Sequence, residues 1–230
     1  FTFAKAGLGH FPPLLLMGMR FVLAAIVLAW FVPLPRGHFW TLCWISFIAA
    51  TLQYGLTFSG LALMAATPAV LLVQSEVIFG VIIAAILLGE RPSLRQILGI
   101  AMASCGVVVI LGAPALEGQW LGIGLVLSGA LVWAFGQVLI RRLDGALGGF
   151  QLTAWIGVMA GPQMLLASCL IDGNPLPAIQ AAPIEGWLTV IYLGVVMTAI
   201  GYSAWYYVLA RYPVPMVMPV LLLLPVAAIF

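Results

Sequence analysis

Long apolar stretches, separated by short segments rich in proline, glycine and charged residues, dominate the pattern of this sequence. A helix that crosses the hydrocarbon core of a bilayer needs about 20 predominantly apolar residues. Strands that long are uncommon, so the stretches favour helices. The pattern predicts seven membrane-spanning helices, near residues 14–32, 40–62, 67–88, 95–112, 120–140, 150–171 and 184–208.

The segments between these stretches carry signals that begin or end helices. Ser93 and Gln96 have the spacing of a capping box, which predicts the start of the helix over residues 95–112. Residues 1–8 and 214–230 are apolar and continue to the two ends of the sequence. We interpret them as parts of further helices, and we expect the sequence to be a fragment of a longer protein.

Composition places most of the surface in lipid. The 230 residues are 65% hydrophobic and only 6% charged, whereas a soluble domain has about 25% charged residues. The net charge of +2 and the lack of a large basic cluster argue against a nucleic-acid partner. We therefore expect the lipid bilayer to be the main surrounding of the chain.

Among the predicted loops, arginine occurs only in every second one. The positive-inside rule assigns arginine-bearing loops to the cytoplasm. The other loops hold Glu117, Asp172 and Glu185, together with His10. The arginines that this rule predicts to be cytoplasmic are Arg36, Arg91, Arg95, Arg141, Arg142 and Arg211.

An internal repeat is visible when the chain is compared with itself. A shift of 148 residues places Tyr54 on Tyr202 and Leu61 on Leu209. Because five helices separate the starts of the two units, the second unit must be inverted relative to the first. Inverted repeats are typical of secondary transporters, in which the substrate binds near the midplane between the repeats.

Several stretches resemble one family in chain order. Residues 12–21 resemble the start of the second helix of EamA-type carriers of the drug/metabolite transporter superfamily, residues 60–91 their third and fourth helices, and residues 96–106 their fifth. The resemblance implies an all-α, polytopic transmembrane helix bundle with two inverted five-helix repeats and ten helices when complete. The first repeat is then residues 1–115 and the second residues 116–230, with terminal parts missing.

The resemblance to this family is greatest for bacterial exporters of amino acids and metabolites. It implies a secondary transporter that exports a small-molecule substrate across the bacterial inner membrane by alternating access, with a proton or another ion as a candidate coupling partner. A carrier of cationic drugs, or of nucleosides or sugar conjugates, is an alternative within transport. A membrane receptor or scaffold that does not transport is the alternative outside it.

Enzymatic motifs do not occur in the sequence. HExxH, GxSxG, P-loop and dinucleotide-binding patterns are absent. The two histidines, His10 and His38, fall in loops predicted to lie on opposite sides of the membrane, so they cannot form a metal pair. We therefore expect no catalytic residues, no bound metal and no cofactor.

Glu76 is the clearest ionisable candidate because it lies within a predicted span, where charge is costly. One interpretation makes it a coupling group or a partner for a substrate amine. The other makes it an internal ion-pair partner of Arg20 or Lys5. Those two basic residues could instead extend to the outer headgroups.

Aromatic residues at helical spacing form the second candidate set. Tyr54 and Phe58 are four residues apart, as are Tyr202 and Tyr206 on the matching helix. Such rings can line a substrate cavity or pack in a core. Polar amides within spans serve a substrate or a neighbouring helix equally well. The predicted substrate-binding residues are Tyr54, Phe58, Gln74, Glu76, Phe79, Trp133, Gln137, Tyr202, Trp205 and Tyr206.

Overall fold

A computed structural model of the chain describes residues 7–111, 118–143 and 146–223. Every regular element within these ranges is helical. Lys5, Glu117 and Asp144 lie outside them. The elements are α1 (Pro13–Leu28), α2 (Phe39–Ala62), α3 (Pro68–Leu87), α4 (Leu94–Leu111), α5 (Trp120–Arg141), α6 (Gly149–Ile171), the short α7 (Leu176–Ala181), α8 (Ile184–Leu209) and α9 (Val214–Leu223).

The helices confirm the predicted spans. Six of them are long and apolar enough to cross a membrane, with α1 extended by one turn to Phe31. The seventh predicted span corresponds to α4. Each predicted boundary lies within one residue of the observed one. Large apolar side chains such as Trp30, Ile86 and Val109 are exposed on the outside of the bundle, as a lipid-facing surface requires.

Local sequence signals begin and end these helices. Pro13 occupies the first turn of α1, where its missing N–H removes no helical hydrogen bond. The predicted capping box is present before α4: the Ser93 N–H donates to Gln96 Oε1 at 2.7 Å, and the Gln96 N–H donates to Ser93 Oγ at 3.3 Å. Gly89 follows α3 with a φ of 70°, a conformation that favours glycine.

Glycines allow the closest helix contacts. Where α1 packs along α6, a Cβ added to Gly161 would lie 2.7 Å from a methyl carbon of Val22. Where α2 packs along α5, a Cβ added to Gly136 would lie 2.5 Å from the Cβ of Ala49. Small residues at such positions let helix backbones approach within a bilayer, where apolar burial alone gives little driving force.

Contacts between helix ends establish the direction of each helix. Arg141, at the end of α5, bonds to the Ala210 carbonyl after α8 and to Glu90 after α3. We call this side of the bundle the arginine end. At the opposite end, the Ala65 N–H donates to Gln119 Oε1, so α2 finishes beside the start of α5. The matching helices α2 and α8 therefore run in opposite directions, as an inverted repeat requires.

The loop with Arg36 also lies at the arginine end. Gln151 and Trp155, in the first turns of α6, donate hydrogen bonds to the Pro33 carbonyl just before this loop. Since α6 starts only a few residues after α5 ends, Pro33 must lie on the same side. The arginine end therefore holds all six loop arginines, because the others lie within five residues of Glu90, Arg141 or Ala210.

Both matching helices, α2 and α8, contain a π-helical segment, and the two segments lie at equivalent places in the repeats. In α2 a π-helical segment covers Phe47–Leu52, and in α8 one covers Tyr192–Tyr202. The shift of 148 residues carries the first segment onto residues 195–200, which fall inside the second. π-Helical segments are rare and are frequent at functional sites. In α3 the helix is interrupted at Gln74 and continues as Ser75–Leu87.

Candidate functional site

The two repeats meet through a pair of equivalent tyrosines. The hydroxyls of Tyr54 on α2 and Tyr202 on α8 lie 2.5 Å apart and share a hydrogen bond. Tyr54 is buried and Tyr202 is half-buried. The repeat shift of 148 residues makes them equivalent residues of α2 and α8. A contact between equivalent residues of two inverted units marks the pseudo-twofold axis of the bundle.

Each of these tyrosines packs against the aromatic residue four positions later, with the two rings tilted relative to each other. The Tyr54 and Phe58 ring centroids lie 5.6 Å apart, and those of Tyr202 and Tyr206 lie 5.5 Å apart. The predicted four-residue aromatic set is thus assembled into one cluster between the repeats. In this conformation the rings are buried or half-buried and pack against each other, and Tyr54 also contacts the ring of Phe21.

Arg20 completes this cluster and was not among the predicted site residues. Its Nη2 donates to the Tyr54 hydroxyl at 3.1 Å, and its Nε donates to Thr198 Oγ1. The guanidinium carbon lies 4.9 Å from the ring centroid of Tyr54 and 5.6 Å from that of Tyr202. Cation–π contacts of this kind stabilise a desolvated cation by about 2 kcal/mol or more.

Both sequence-based interpretations of Arg20 are therefore wrong. Its side chain is 5% exposed, so it does not extend to the headgroups. Nor does it pair with Glu76; the ion pair seen in the described ranges joins Glu90 and Arg141. The physical reason is that side chains of α2 and α8 surround the guanidinium inside the bundle with hydroxyl groups and aromatic rings. The sequence did signal Arg20, as a charged residue within an apolar helix.

Three other predicted residues form a second group beside the first. Trp205 Nε1 donates to Gln137 Oε1 at 2.8 Å, and its ring centroid lies 6.0 Å from that of Trp133. Gln137 is fully buried on α5, and its Nε2 has no acceptor among the described residues. Trp205 also borders an open groove of about 510 Å³ between α8 and α9, which has an apolar lining.

Gln74, Glu76 and Phe79 lie at the interruption of α3. Glu76 is 8% exposed, and no described residue forms a hydrogen bond or ion pair with its carboxyl group. Gln74 is also buried, with Oε1 lacking a donor in the described ranges, and Phe79 is half-buried. The structure records no hydrogen bond or ring contact from these three residues to the tyrosine cluster.

A polar network closes the arginine end. Arg141 Nε donates to Glu90 Oε1 at 3.1 Å, and Arg141 Nη1 donates to the Ala210 carbonyl at 2.8 Å. The Val214 N–H, at the start of α9, donates to Glu90 Oε2 at 2.7 Å. One carboxylate and one guanidinium therefore connect the ends of α3, α5 and α8 with the start of α9.

The described residues contain no cluster of three or more histidine, cysteine, aspartate or glutamate side chains that could hold a metal ion. The polar atoms that remain without partners belong to side chains on spanning helices, among them Gln137 and Ser203. Buried polar atoms without partners are costly in hydrocarbon. The arrangement suits the transient binding of a polar or amphipathic solute.

Comparison with known proteins identifies the relatives of this chain. The sequence matches the EamA-like transporter family over residues 1–112 and again over residues 120–230. It is 32% identical to a probable amino-acid metabolite efflux pump of Salmonella typhimurium, over 100% of this chain and 79% of the relative. A probable terminal-alkyne amino-acid exporter of Streptantibioticus cattleyicolor is 30% identical, over 69% of this chain and 52% of the relative.

A solved structure supports the fold independently. One crystal structure superposes on this chain with a TM-score of 0.77 and 24% sequence identity. The match covers 99% of this chain and 83% of the other chain. At this level of identity the likeness extends to the arrangement of helices and carries no information about substrate.

Proposed function

Because the chain belongs to the EamA-like transporter family, we propose that it exports amino acids or related small metabolites across the bacterial inner membrane. Membership makes it a multi-pass membrane transporter and not an enzyme. The proposal for the substrate follows the Salmonella relative, which is named as a probable amino-acid metabolite efflux pump and aligns with the whole of this chain.

The substrate site is proposed to lie between the repeats, at the tyrosine cluster. The observation that carries this proposal is the 2.5 Å contact between the equivalent hydroxyls of Tyr54 and Tyr202. A site used from both sides of a membrane must be reached by matching elements of both repeats. A substrate bound there would separate the two rings and replace their hydrogen bond with bonds to itself.

Transport is proposed to proceed by alternating access. The contact between Glu90 and Arg141 closes the arginine end, which we assign to the cytoplasm by the positive-inside rule. Opening that end requires the ends of α3, α5 and α8 to separate from α9. The π-helical segments of α2 and α8, which precede or include the tyrosines, are the proposed places where each helix changes shape.

Glu76 is proposed to carry the coupling proton or to bind a substrate amine. Its carboxyl group is buried on a spanning helix and has no cationic partner among the described residues. Carboxyl groups in such positions frequently mark ion or proton pathways in transporters. Gln74, Phe79, Trp133, Gln137 and Trp205 are proposed to contribute further walls and polar groups of the pathway.

A flux screen tests the proposed function. The full chain is reconstituted in proteoliposomes and supplied in turn with the twenty amino acids, with cationic drugs and with nucleosides. Saturable flux of one or more amino acids is expected. Flux of drugs or nucleosides alone would show that the substrate belongs to one of those classes and not to the amino acids. No flux of any solute would favour a receptor or scaffold.

A further inference from the structure

Arg20 is a buried cation for which the described residues provide no anion. It lies within a membrane-spanning helix, 5% exposed, and its described partners are neutral. The ion pair of the described ranges lies elsewhere, between Glu90 and Arg141. An unpaired charge in the interior of a membrane protein is costly and is characteristic of a substrate or ion pathway.

The hydrogen bonds of Arg20 leave donors without acceptors. A guanidinium has five N–H groups. One of them reaches Thr198, one reaches Tyr54, and a third makes a weak contact with the sulfur of Met17 at 3.6 Å. The second N–H on each terminal nitrogen makes no hydrogen bond of good geometry to a described residue, although the Tyr202 hydroxyl also faces the guanidinium. The two terminal nitrogens can bind a carboxylate in bidentate fashion.

The neighbouring hydroxyls are neutral, and those of Thr198 and Tyr54 already take part in other hydrogen bonds. Thr198 accepts from Arg20 and donates to the Leu193 carbonyl at 2.8 Å. Tyr54 accepts from Arg20 and shares its other hydrogen bond with Tyr202. The cluster thus contains a cation surrounded by neutral groups, and a ligand that balances its charge must bring negative charge and acceptor atoms.

We propose that Arg20 binds the carboxylate of the exported substrate, with the hydroxyls of Tyr54 and Tyr202 as additional donors. This inference rests on the proposed function and specifies its substrate class as carboxylates, amino acids among them. The guanidinium offers two parallel N–H groups to two carboxylate oxygens. The aromatic rings around it exclude water and leave room for an apolar side chain once the tyrosines separate.

Arg20 also connects the binding event to both repeats. It lies on α1, while Tyr54 lies on α2 and Thr198 lies within the π-helical segment of α8. A carboxylate that draws the guanidinium toward itself weakens the bonds to Tyr54 and Thr198. Substrate binding is thereby linked to the contact between the inverted helices.

The test compares each amino acid with its own carboxamide. The carboxamide has nearly the same size and keeps the amine, but it lacks the negative charge. The full chain in proteoliposomes is loaded with whichever labelled amino acid it moves, and inhibition of counterflow is measured for both compounds. For the wild type we expect the acid to inhibit at a concentration at least tenfold lower than the carboxamide.

Variants of Arg20 test whether this residue causes the preference for the acid, measured as the ratio of the inhibitory concentrations of carboxamide and acid. In Arg20→Gln we expect the ratio to fall toward one, and in Arg20→Lys, which keeps the charge but not the paired N–H groups, to take an intermediate value. Arg36→Gln makes the same change at an exposed loop position and should keep the wild-type ratio. If Arg20→Gln does not fold, Arg20→Lys and Tyr54→Phe carry the test, because each should lower the ratio.

The outcomes separate this inference from the proposed function. Equal inhibition by acid and carboxamide in the wild type, or an unchanged ratio in the Arg20 variants, would overturn the carboxylate assignment while leaving amino-acid transport intact. Flux of amines that lack a carboxyl group, independent of Arg20, would have the same effect. Absence of flux for all amino acids would overturn the proposed function as well.

Discussion

Tyr54 and Tyr202 occupy equivalent positions in the two repeats, and their hydroxyls share a hydrogen bond at 2.5 Å between helices that run in opposite directions. The contact is possible because inversion brings equivalent faces of α2 and α8 toward one axis. Any movement that opens a path along this axis must break the contact. The pair is therefore a sensitive position at which to test transport.

The sidedness of the bundle gives the first prediction. Single cysteines placed next to Arg36, Arg91, Arg142 and Arg211, in a background without the three native cysteines, should react with an impermeant thiol reagent only from the cytoplasm. A cysteine at Gln180, on the exposed α7, should react only from outside. Labelling of both groups from the same side would contradict the inverted arrangement.

The second prediction concerns the closure of the arginine end. Glu90→Gln weakens the ion pair with Arg141 and the bond from the Val214 N–H. Hydrogen bonds to charged groups contribute about 1.5–3 kcal/mol, and 1.4 kcal/mol corresponds to about a tenfold change in population. A cysteine at the buried Ser203 should therefore be labelled from the cytoplasm about tenfold faster.

Glu185→Gln is the matched control for this measurement, because Glu185 is exposed near the opposite end of α8. It should leave the labelling rate at Ser203 unchanged. An equal rate in the Glu90 variant and the control would show that the network does not close the pathway.

The third prediction is that the charge of Glu76 serves transport more than folding. No described residue pairs with its carboxyl group, so Glu76→Gln removes a charge without breaking a contact seen in the described ranges. The melting temperature should stay within a few degrees of the wild-type value while the flux falls about tenfold or more. A destabilised variant, or one with normal flux, would contradict the proposed role.

Helix packing gives the fourth prediction. In Gly136→Ala the new methyl group would lie 2.5 Å from the Cβ of Ala49 and 2.8 Å from its Cα, inside the first π-helical segment. Overpacking of this kind costs about 1–3 kcal/mol. Gly124→Ala, on the same helix, meets nothing within 4 Å and should be neutral. Thermal unfolding in detergent compares the two, and equal melting temperatures would contradict the described packing of α2 on α5.

The sequence alone predicted the membrane-spanning helices, but it did not predict which side chains surround Arg20. Helix boundaries follow from the length of apolar runs and from local signals such as Ser93 with Gln96, which act within one segment. The repeat shift identified Tyr54 and Tyr202 as equivalent residues, but it did not predict the hydrogen bond between them. The partners of Arg20 come from helices up to 178 residues away in the chain, so no local pattern identifies them.

The changes in helical winding were not predicted either. Apolar periodicity does not distinguish an α-helical turn from a π-helical one over six residues, so the segment Phe47–Leu52 looks like ordinary helix in the sequence. The interruption at Gln74 also lacks a proline or glycine of its own. Both features depend on packing against other helices, which a single sequence does not specify.

Substrate affinity in variants of the paired tyrosines tests the central claim most directly. Tyr54→Ala and Tyr202→Ala each remove a ring from the proposed site, and loss of one well-packed ring contact should cost about 1–3 kcal/mol of binding, roughly tenfold or more in affinity. Tyr54→Phe and Tyr202→Phe keep the rings and provide variants with smaller changes to the fold. Trp120→Ala is the control, because Trp120 is 73% exposed at the start of α5. We predict that both tyrosine-to-alanine variants lose substrate affinity and that Trp120→Ala does not. Equal losses at all three positions, or wild-type affinity in both tyrosine variants, would place the substrate site elsewhere.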